Sequence, residues 1–434
     1  MLNHIDAVLH RRKILILFGF ILVGLALRLL WLANVRDDSI SFGEATNVAI
    51  AFSKSNEIAD AFQEGQGPTA HIMPIMPIIA GTVYKLFGVK TATSAAVLTT
   101  WSLLVTLGSY LLFFRAFGRL GVPLAARLLA FGFLAAVPLN MSLEAIAFRV
   151  WEGGLAVLMG AFCLDQLLRL DAATEVRRRD IIAMGLLAAP CLFVSPPTGI
   201  AAYFGGLLLM IRKTDRRRWP GVIGIVALAA VVVLTPWLVR NMSVMGRPIL
   251  LRDNFGLEVA QANHSAALSD GDPRIVFRER HTEIHPYGGH RQAYAKMQAA
   301  GGEAAYAELL AAETKDWIRS NPVGFIRLSL RHLGEMLFPP AWYWTMFGSG
   351  SRGTFVKLAL NWAVTLLALA GIAWGYWRTG ARYLYVAFFA LLPLLPYMLV
   401  QPTLRYRYLI LSLFVFIAAD LLARIWARLS KTPA

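Results

Sequence analysis

The sequence predicts an all-α polytopic membrane protein of about ten transmembrane helices, with juxtamembrane helices in two large extracytoplasmic loops. Three observations carry this reading. Hydrophobic residues make up 57% of the 434 and charged residues only 16%, a balance too apolar for a soluble chain of this length. Apolar windows of about 20 residues recur, each long enough to cross the roughly 30 Å hydrocarbon layer as a helix. Alternate short connections are rich in arginine, as the positive-inside rule requires of cytoplasmic loops.

The first window, 14–34, follows His10-Arg11-Arg12-Lys13 as the core of a signal peptide would. Its apolar run continues to Ala33 with no clean small-residue cleavage site, so it reads as a retained helix. The other windows are 94–114, 124–143, 152–169, 181–197, 198–212, 220–239, 356–377, 383–400 and 406–427. The fifth and sixth are short and divided by Ser195-Pro196-Pro197-Thr198-Gly199, a pattern for a tight helical hairpin turning at the far membrane face.

With a cytoplasmic amino terminus, the same-side connections carry Arg11-Arg12-Lys13, Arg115 and Arg119, Arg177-Arg178-Arg179, Arg212-Lys213 with Arg216-Arg217-Arg218, Arg378 and Arg382, and Arg424, Arg428 and Lys431. An even number of spans leaves both termini inside and sends the long polar segments 35–93 and 240–355 to the other face. The chain therefore divides into an N-terminal membrane module, 1–239, carrying the 35–93 loop; a large extracytoplasmic loop, 240–355; and C-terminal transmembrane helices, 356–434. The net charge of +16 is accounted for by these loops, which argues against nucleic acid and for attraction to anionic membrane lipid. Cys163 and Cys191 both sit in apolar runs and read as packing residues.

Within the outer segments, Met73 to Gly88 is apolar but only about 16 residues long and punctuated by Pro74 and Pro77. It reads as a helix in the outer interface, with Pro77 near its first turn and Gly88 as its stop. In the large loop, 303–319 is amphipathic, with Tyr306, Leu309, Leu310 and Ile318 set against Glu308, Glu313, Lys315 and Arg319. Val323 to Phe338 interleaves apolar residues with Arg327, Arg331 and His332, which suits a cationic helix resting on headgroups.

The outer segments hold most of the acids and every histidine except His4 and His10, so the chemistry is expected there. Glu44 opens a helix-like run directly after Gly43. An acid in a first turn is an ordinary partner of the helix dipole; at the membrane boundary it is also a carboxylate whose partial desolvation raises its basicity. Asp37 and Asp38 are supporting acids, with solvated loop residues as their plain reading. His71 precedes the proline pair and is the histidine of the first loop, but no second His or Cys lies at ligand spacing nearby, which argues against zinc. His281-x-x-x-His285 has the spacing of a metal pair; however, Pro286-Tyr287-Gly288-Gly289 follows at once and no Glu lies between, so no metal site is assigned. Lys85, Arg149, Arg240, Arg405 and Arg407 fall at the outer interface, where the positive-inside bias disfavours cations. Snorkelling to water and lipid phosphate explains some of them; several together suit an anionic lipid ligand, since guanidinium forks and a lysine match a phosphate.

These stretches resemble a known family. The polar loop with its acid, then Pro68-Thr69-Ala70-His71, Pro74, Pro77, Ala80-Gly81 and Lys85-Leu86-Phe87-Gly88, is similar to the first extracytoplasmic loop of the C-type (GT-C) glycosyltransferases. The nearest branch is the bacterial one that transfers sugars to lipopolysaccharide, and beyond it the protein O-mannosyltransferases of glycosyltransferase family 39. Pro236-Trp237-Leu238-Val239-Arg240-Asn241 with Gly246, Asn254-Phe255-Gly256 and Ala262-Asn263 resembles the family's entry into its large loop, Arg405-Tyr406-Arg407 its Arg-Tyr-Arg signature, and Glu152 a glutamate at the same place. Two departures stand out: Gly43 occupies the place of the first acid of the family's pair, and Ser195-Pro196-Pro197 lacks the arginine of its Thr-Arg-Pro turn.

The resemblance implies a polyprenyl-phosphate-linked sugar donor and a hydroxyl acceptor on a lipid, glycan or protein, on the outer face of the bacterial cell inner membrane. It implies Glu44 as the group that orients and deprotonates the acceptor, with Asp38 and His71 beside it, and Lys85, Arg149, Arg240, Arg405 and Arg407 as holders of the donor phosphate. No cofactor is assigned, and a divalent cation is compatible with the pattern. Two other classes fit the same basic outer groove: a transporter or flippase for a lipid-linked saccharide, and an inactive GT-C-like assembly subunit. A transporter should carry mid-membrane charge and repeated halves; here Arg28 and Asp165 lie toward helix ends and no internal repeat is visible.

Overall fold

The computed structural model describes residues 2–35, 43–137, 139–287, 289–345 and 353–429. The predicted acids Asp37 and Asp38 lie outside them. The bundle is built of α1 (Leu2–Asn34), α4 (Ala92–Arg119), α5 (Leu124–Ala136) with the short α6 (Met141–Ala145), α7 (Gly153–Ala172), α8 (Arg178–Val194), α9 (Pro196–Lys213), α10 (Trp219–Met245), α16 (Thr354–Thr379), α17 (Ala381–Leu391) and α18 (Leu404–Leu429). The two long polar segments, 35–93 and 240–355, contribute α2 (Gly43–Ser55), α3 (Ile75–Phe87), α11 (Phe255–Ala262), α12 (Pro273–Ile284), α13 (Arg291–Ala299), α14 (Glu303–Ser320) and α15 (Pro322–Leu337).

Among the described residues seven helices are long and apolar enough to cross a membrane, eight if α5 and the bent stretch Met141–Arg149 form one span. The sequence reading of about ten also counts α8 and α9, which are not among them. These two do form the predicted hairpin: Ser195 ends one and caps the next, with Pro196 at the first helical position. Gly199 is required there, because a side chain would run into the Leu192 backbone.

The last helix is the centre of the bundle, buried almost without break from Arg407 to Ala418. In contrast, α1 turns Ile14, Leu15, Phe18, Leu22 and Leu30 outward, and α10 does the same with Leu228, Val231 and Val232, as lipid-facing helices should. Arg28 lies on the packed side of α1 and is fully buried. It donates to Glu144 Oε2 (2.8 Å) and to Ala135 O (2.9 Å) and Leu134 O (3.2 Å), carbonyls left unpaired where α5 ends. Tyr110 of α4 donates to the other Glu144 oxygen at 2.6 Å. One buried ion pair thus ties α1 and α4 to the break after α5.

The arginine-rich turns gather at one end of the bundle, and several of their arginines reach an inward acid. Asp165 accepts from Arg115 and Arg119, Asp171 from Arg212, and Asp420 from Arg424. The two long segments pack on each other at the opposite end. Val48 and Phe62 from the first share a core with Leu257, Ile284, Tyr306 and Leu310 from the second, closed below by Trp237 of α10. The interface helix expected at Met73–Gly88 is α3, ended by Gly88 at φ 88°. The cationic helix is α15, with Val323, Ile326 and Leu330 exposed beside Arg327 and Arg331.

Candidate active site

Glu44 occupies the first turn of α2 because the residue before it has no side chain. The Tyr287 ring lies where a Cβ on Gly43 would be, so the acid that the resemblance led one to seek at position 43 has no room. The inner face of α2 is fixed by Ala45 and Ala49, which pack with Ala80 and Tyr84 of α3 and with Val150. Gly81 lets α3 approach the Ala49 carbonyl and the Phe52 side chain of α2 so closely that a Cβ would not fit.

The chain between them folds into a clasp. Thr69 N donates to Ile58 O (3.1 Å) and Asp60 N to Gly67 O (3.0 Å) around a turn with Gly65 and Gly67 at positive φ. Glu303, the first residue of α14, accepts from Gln66 Nε2 (2.7 Å), Thr69 Oγ1 (2.8 Å) and Ala70 N (2.6 Å). The large loop thereby holds the clasp shut and delivers His71, buried, to the start of α2.

His285 arrives from the other side, as the residue that ends α12. Glu44 Oε1 lies 3.9 Å from His71 Nε2 and 3.8 Å from His285 Nε2. One ligand atom from each of the three lies within 4.8 Å of the others. His281 stacks beside His285 with ring centroids 4.5 Å apart, and His290 Nδ1 sits 2.9 Å from the His285 carbonyl oxygen. Burial drives the His71 proton affinity down to about 3, with Glu44 opposing and His285, Arg252 and Arg405 assisting. Burial also pushes His285 well below its ordinary value, helped by its neighbours His281 and His290 and by Arg405. Both imidazoles are therefore neutral, the form that ligates metal.

The donor set fits a divalent cation of the zinc class: two neutral imidazole nitrogens and one carboxylate oxygen, with spacings that a small contraction would bring to a common ion about 2.1 Å away. Along the chain no partner ligand lies near His71, which is why the sequence alone speaks against zinc. The fold supplies one, a second histidine from 214 positions away.

Arg405, in the first turn of α18, is in electrostatic reach of Glu44 and Glu258. One of its terminal nitrogens donates to Tyr406 OH at 3.0 Å, while its buried Nε makes no hydrogen bond among the described residues. Tyr406 stacks on Tyr397 with centroids 4.3 Å apart. Arg252, just before α11, pairs with Glu152 at the start of α7 and likewise has a buried Nε without a partner among the described residues. Its charge acts on His71, Tyr397 and Tyr406. Two guanidinium groups with donors to spare thus lie in electrostatic reach of the Glu44, His71 and His285 cluster, as a phosphate ligand requires, and the chamber is defined by these five side chains.

Three of the predicted phosphate holders are engaged elsewhere. Lys85 donates to Asn56 Oδ1 (2.8 Å), at the exposed end of α2, about 18 Å of helix from Glu44. Arg240 clips the clasp, donating to Thr69 O (2.7 Å), to Ile58 O and to Asn241 Oδ1. Arg407 is buried, and its guanidinium donates to Met336 O, Leu337 O, Thr365 Oγ1 and both oxygens of Asn361, capping α15 and fastening α16. Arg149 belongs to the turn Ala147–Arg149, whose next residue, Val150, packs on Ala45 and Ala49 near the Glu44 end of α2.

Sequence reasoning missed Arg252 and Glu258 and set His285 aside. The signal for the first two was their place two residues before and two residues after the Asn254-Phe255-Gly256 stretch, and for the third its partner His281.

Scanned against protein-family models the sequence matches none, and a search of curated proteins gives no match. Among solved structures, the fold resembles the archaeal oligosaccharyltransferase AglB from Archaeoglobus fulgidus in complex with an inhibitory peptide and a dolichol-phosphate. The TM-score is 0.52 at 14% identity, over 96% of this chain and 50% of that one. The apo form of an Archaeoglobus fulgidus oligosaccharyltransferase gives 0.51 at 15% identity, over 96% and 51%. At this identity the likeness is one of fold, and the chain spans about half the length of these proteins.

Proposed function

We propose that this chain is a membrane glycosyltransferase that moves a sugar from a polyprenyl-phosphate donor to a hydroxyl of a lipid, glycan or protein acceptor. The observation that carries the reading is the convergence of Glu44, His71 and His285 with Arg405 and Arg252 on one chamber, where the two long segments meet. The fold likeness to an oligosaccharyltransferase solved with a dolichol-phosphate supports it. We read ten crossings, with α5, α8 and α9 added to the seven long helices, both termini cytoplasmic, and the chamber on the outer face of a bacterial inner membrane. The lipopolysaccharide-sugar branch is the member class we favour.

In this reading Arg405 and Arg252, with Arg149 at hand, hold the donor phosphate and stabilise the charge that develops as it leaves. Glu44, His71 and His285 would hold a divalent cation. Such an ion acts as a Lewis acid that polarises a bound oxygen. Glu44 orients the acceptor hydroxyl, and Glu303 keeps His71 in place through Thr69 and Ala70. A flippase would need charge free to move through the membrane layer; Arg28, Glu144 and Asp165 are instead each paired. The test is incubation of the purified protein with a polyprenyl-phosphate sugar and a crude envelope acceptor. Release of lipid phosphate with sugar transfer is expected, and translocation without cleavage would assign the chain to transport.

A further inference from the structure

If Glu44 is committed to a cation with two histidines, another group must take the proton of the acceptor hydroxyl. Glu258 is the second carboxylate of the chamber. It is carried on α11, whose buried residues Leu257 and Ala260 fix it in the core of the outer segments. Gly256 brings the helix hard against the Ala307 carbonyl of α14, where no side chain would fit. At its far end Asn263 Nδ2 donates to Leu399 O (2.8 Å), tying α11 to the chain that leads into Arg405. Glu258 lies between these fixed points, on the helix tied to the chain that leads into Arg405.

Its carboxylate makes no hydrogen bond among the described residues, yet it lies in electrostatic reach of Arg405, Glu44 and Arg252. A half-buried carboxylate so placed, with no structural contact to explain it, calls for a chemical one. Of the other acids near the site, Glu303 is engaged in the clasp and Glu152 with Arg252. Asp253 has both oxygens buried without a hydrogen-bond partner among the described residues, but burial and the adjacent Glu303 push its proton affinity up to about 9, so at neutral pH it holds its proton and is not a base.

We propose that Glu258 is the catalytic base, taking the acceptor's proton while Glu44 serves the cation; this rests on the transferase reading above. Burial is the largest influence on Glu258 and raises its proton affinity, with Arg405 and Arg252 opposing. A carboxylate of raised affinity is the stronger base. In the step, the acceptor oxygen forms a bond to the anomeric carbon and its proton passes to a Glu258 oxygen. The bond from the anomeric carbon to the phosphate oxygen breaks, and its electron pair leaves with the lipid phosphate, held by Arg405 and Arg252. Atoms and charge balance without an oxidant or reductant.

The experiment uses the full-length protein in detergent, with three variants: Glu258→Gln, Glu258→Asp and Glu44→Gln. Three quantities are measured: the rate of lipid-phosphate release from a polyprenyl-phosphate sugar, the affinity for polyprenyl monophosphate, and bound zinc. For Glu258→Gln the rate should fall by about 10²–10⁴-fold. Its zinc content should be unchanged and its phosphate affinity equal or higher, since removing a carboxylate beside two arginines removes repulsion. Glu258→Asp should keep an intermediate rate, and Glu44→Gln should lose the zinc. An active wild type with an equally active Glu258→Gln overturns the proposal alone, as does a variant whose phosphate affinity and zinc fall in step with its rate. Should Glu258→Gln fail to fold, a Glu258→Asp protein with wild-type kcat overturns it instead. A wild type that releases no lipid phosphate from any such donor sinks the transferase reading itself.

Discussion

The Tyr287 ring sits over Gly43, the residue that precedes Glu44. Any side chain at 43 must displace that ring, and Tyr287 is two residues from His285. Gly43→Ala should therefore move His285 away from Glu44, and Gly43→Asp should not restore a second acid. We expect a loss of about 1–3 kcal/mol of stability, the usual effect of overpacking, and at least a roughly tenfold fall in transfer. Thermal melting and the transfer assay check it; a stable, fully active Gly43→Asp would mean the loop is free to yield.

Cations at the chamber's edge and beyond should separate by what they touch. Arg405→Gln should weaken polyprenyl monophosphate binding by about 10–100-fold, the loss of one or two charge-assisted hydrogen bonds. Lys85→Ala removes an exposed contact to Asn56 and should change binding by less than about twofold. Arg407→Gln leaves carbonyls of α15 without donors and should destabilise the protein by about 3 kcal/mol or more. Arg240→Gln should loosen the clasp, read as proteolytic cleavage between Ile58 and Thr69. A Lys85→Ala protein that loses phosphate binding would contradict this assignment.

Arg28 and Glu144 form a pair with almost no access to solvent. Arg28→Met or Glu144→Gln alone leaves an uncompensated polar group among apolar helices and should cost about 3–5 kcal/mol, whereas the double variant should recover much of that loss. Unfolding in graded SDS measures all three. Additive losses would mean the two side chains are not coupled.

Buried histidines make the outer segments sensitive to acid. His332 is fully buried against Met398 O, and burial lowers its proton affinity from the ordinary 6.5 to about 4, despite the carbonyl. Below pH 6.5 the unfolded chain takes up a proton there that the folded chain refuses. The stability from this residue is thus complete above about 6.5 and is lost as the pH falls toward about 4. The difference corresponds to about 3 kcal/mol at most. Melting curves from neutral pH down to about 4 should show a slope that flattens in His332→Phe. An unchanged slope would remove His332 from the linkage.

Much of this was legible in the sequence where the signal is local. Helix α14 falls where its amphipathic period placed it, and α3 stops at the glycine chosen for it, because periodicity and φ > 0 are properties of neighbouring residues. Glu44 and His71, which the fold brings together, stand out in the sequence for the same reason. Arg405, Arg407 and Arg240 look alike in a sequence, each an arginine at the margin of an apolar run. Only the fold separates the one that borders the chamber from the two that tie carbonyls. His285 and Glu258 are hidden because they approach Glu44 across more than 200 residues, and Arg252 because it acts on His71 across 181; nothing in a lone histidine or arginine announces its partner. Gly43 was read as a missing acid; it is the space for a ring contributed from elsewhere.

The central claim is that Glu44 and Arg405 act on one substrate in one chamber, and a double-mutant cycle on the transfer rate tests it directly. Groups that act as a unit are strongly non-additive, so Glu44→Gln combined with Arg405→Gln should be little slower than the worse single variant. If instead the two losses multiply, the residues work independently and the shared chamber is contradicted.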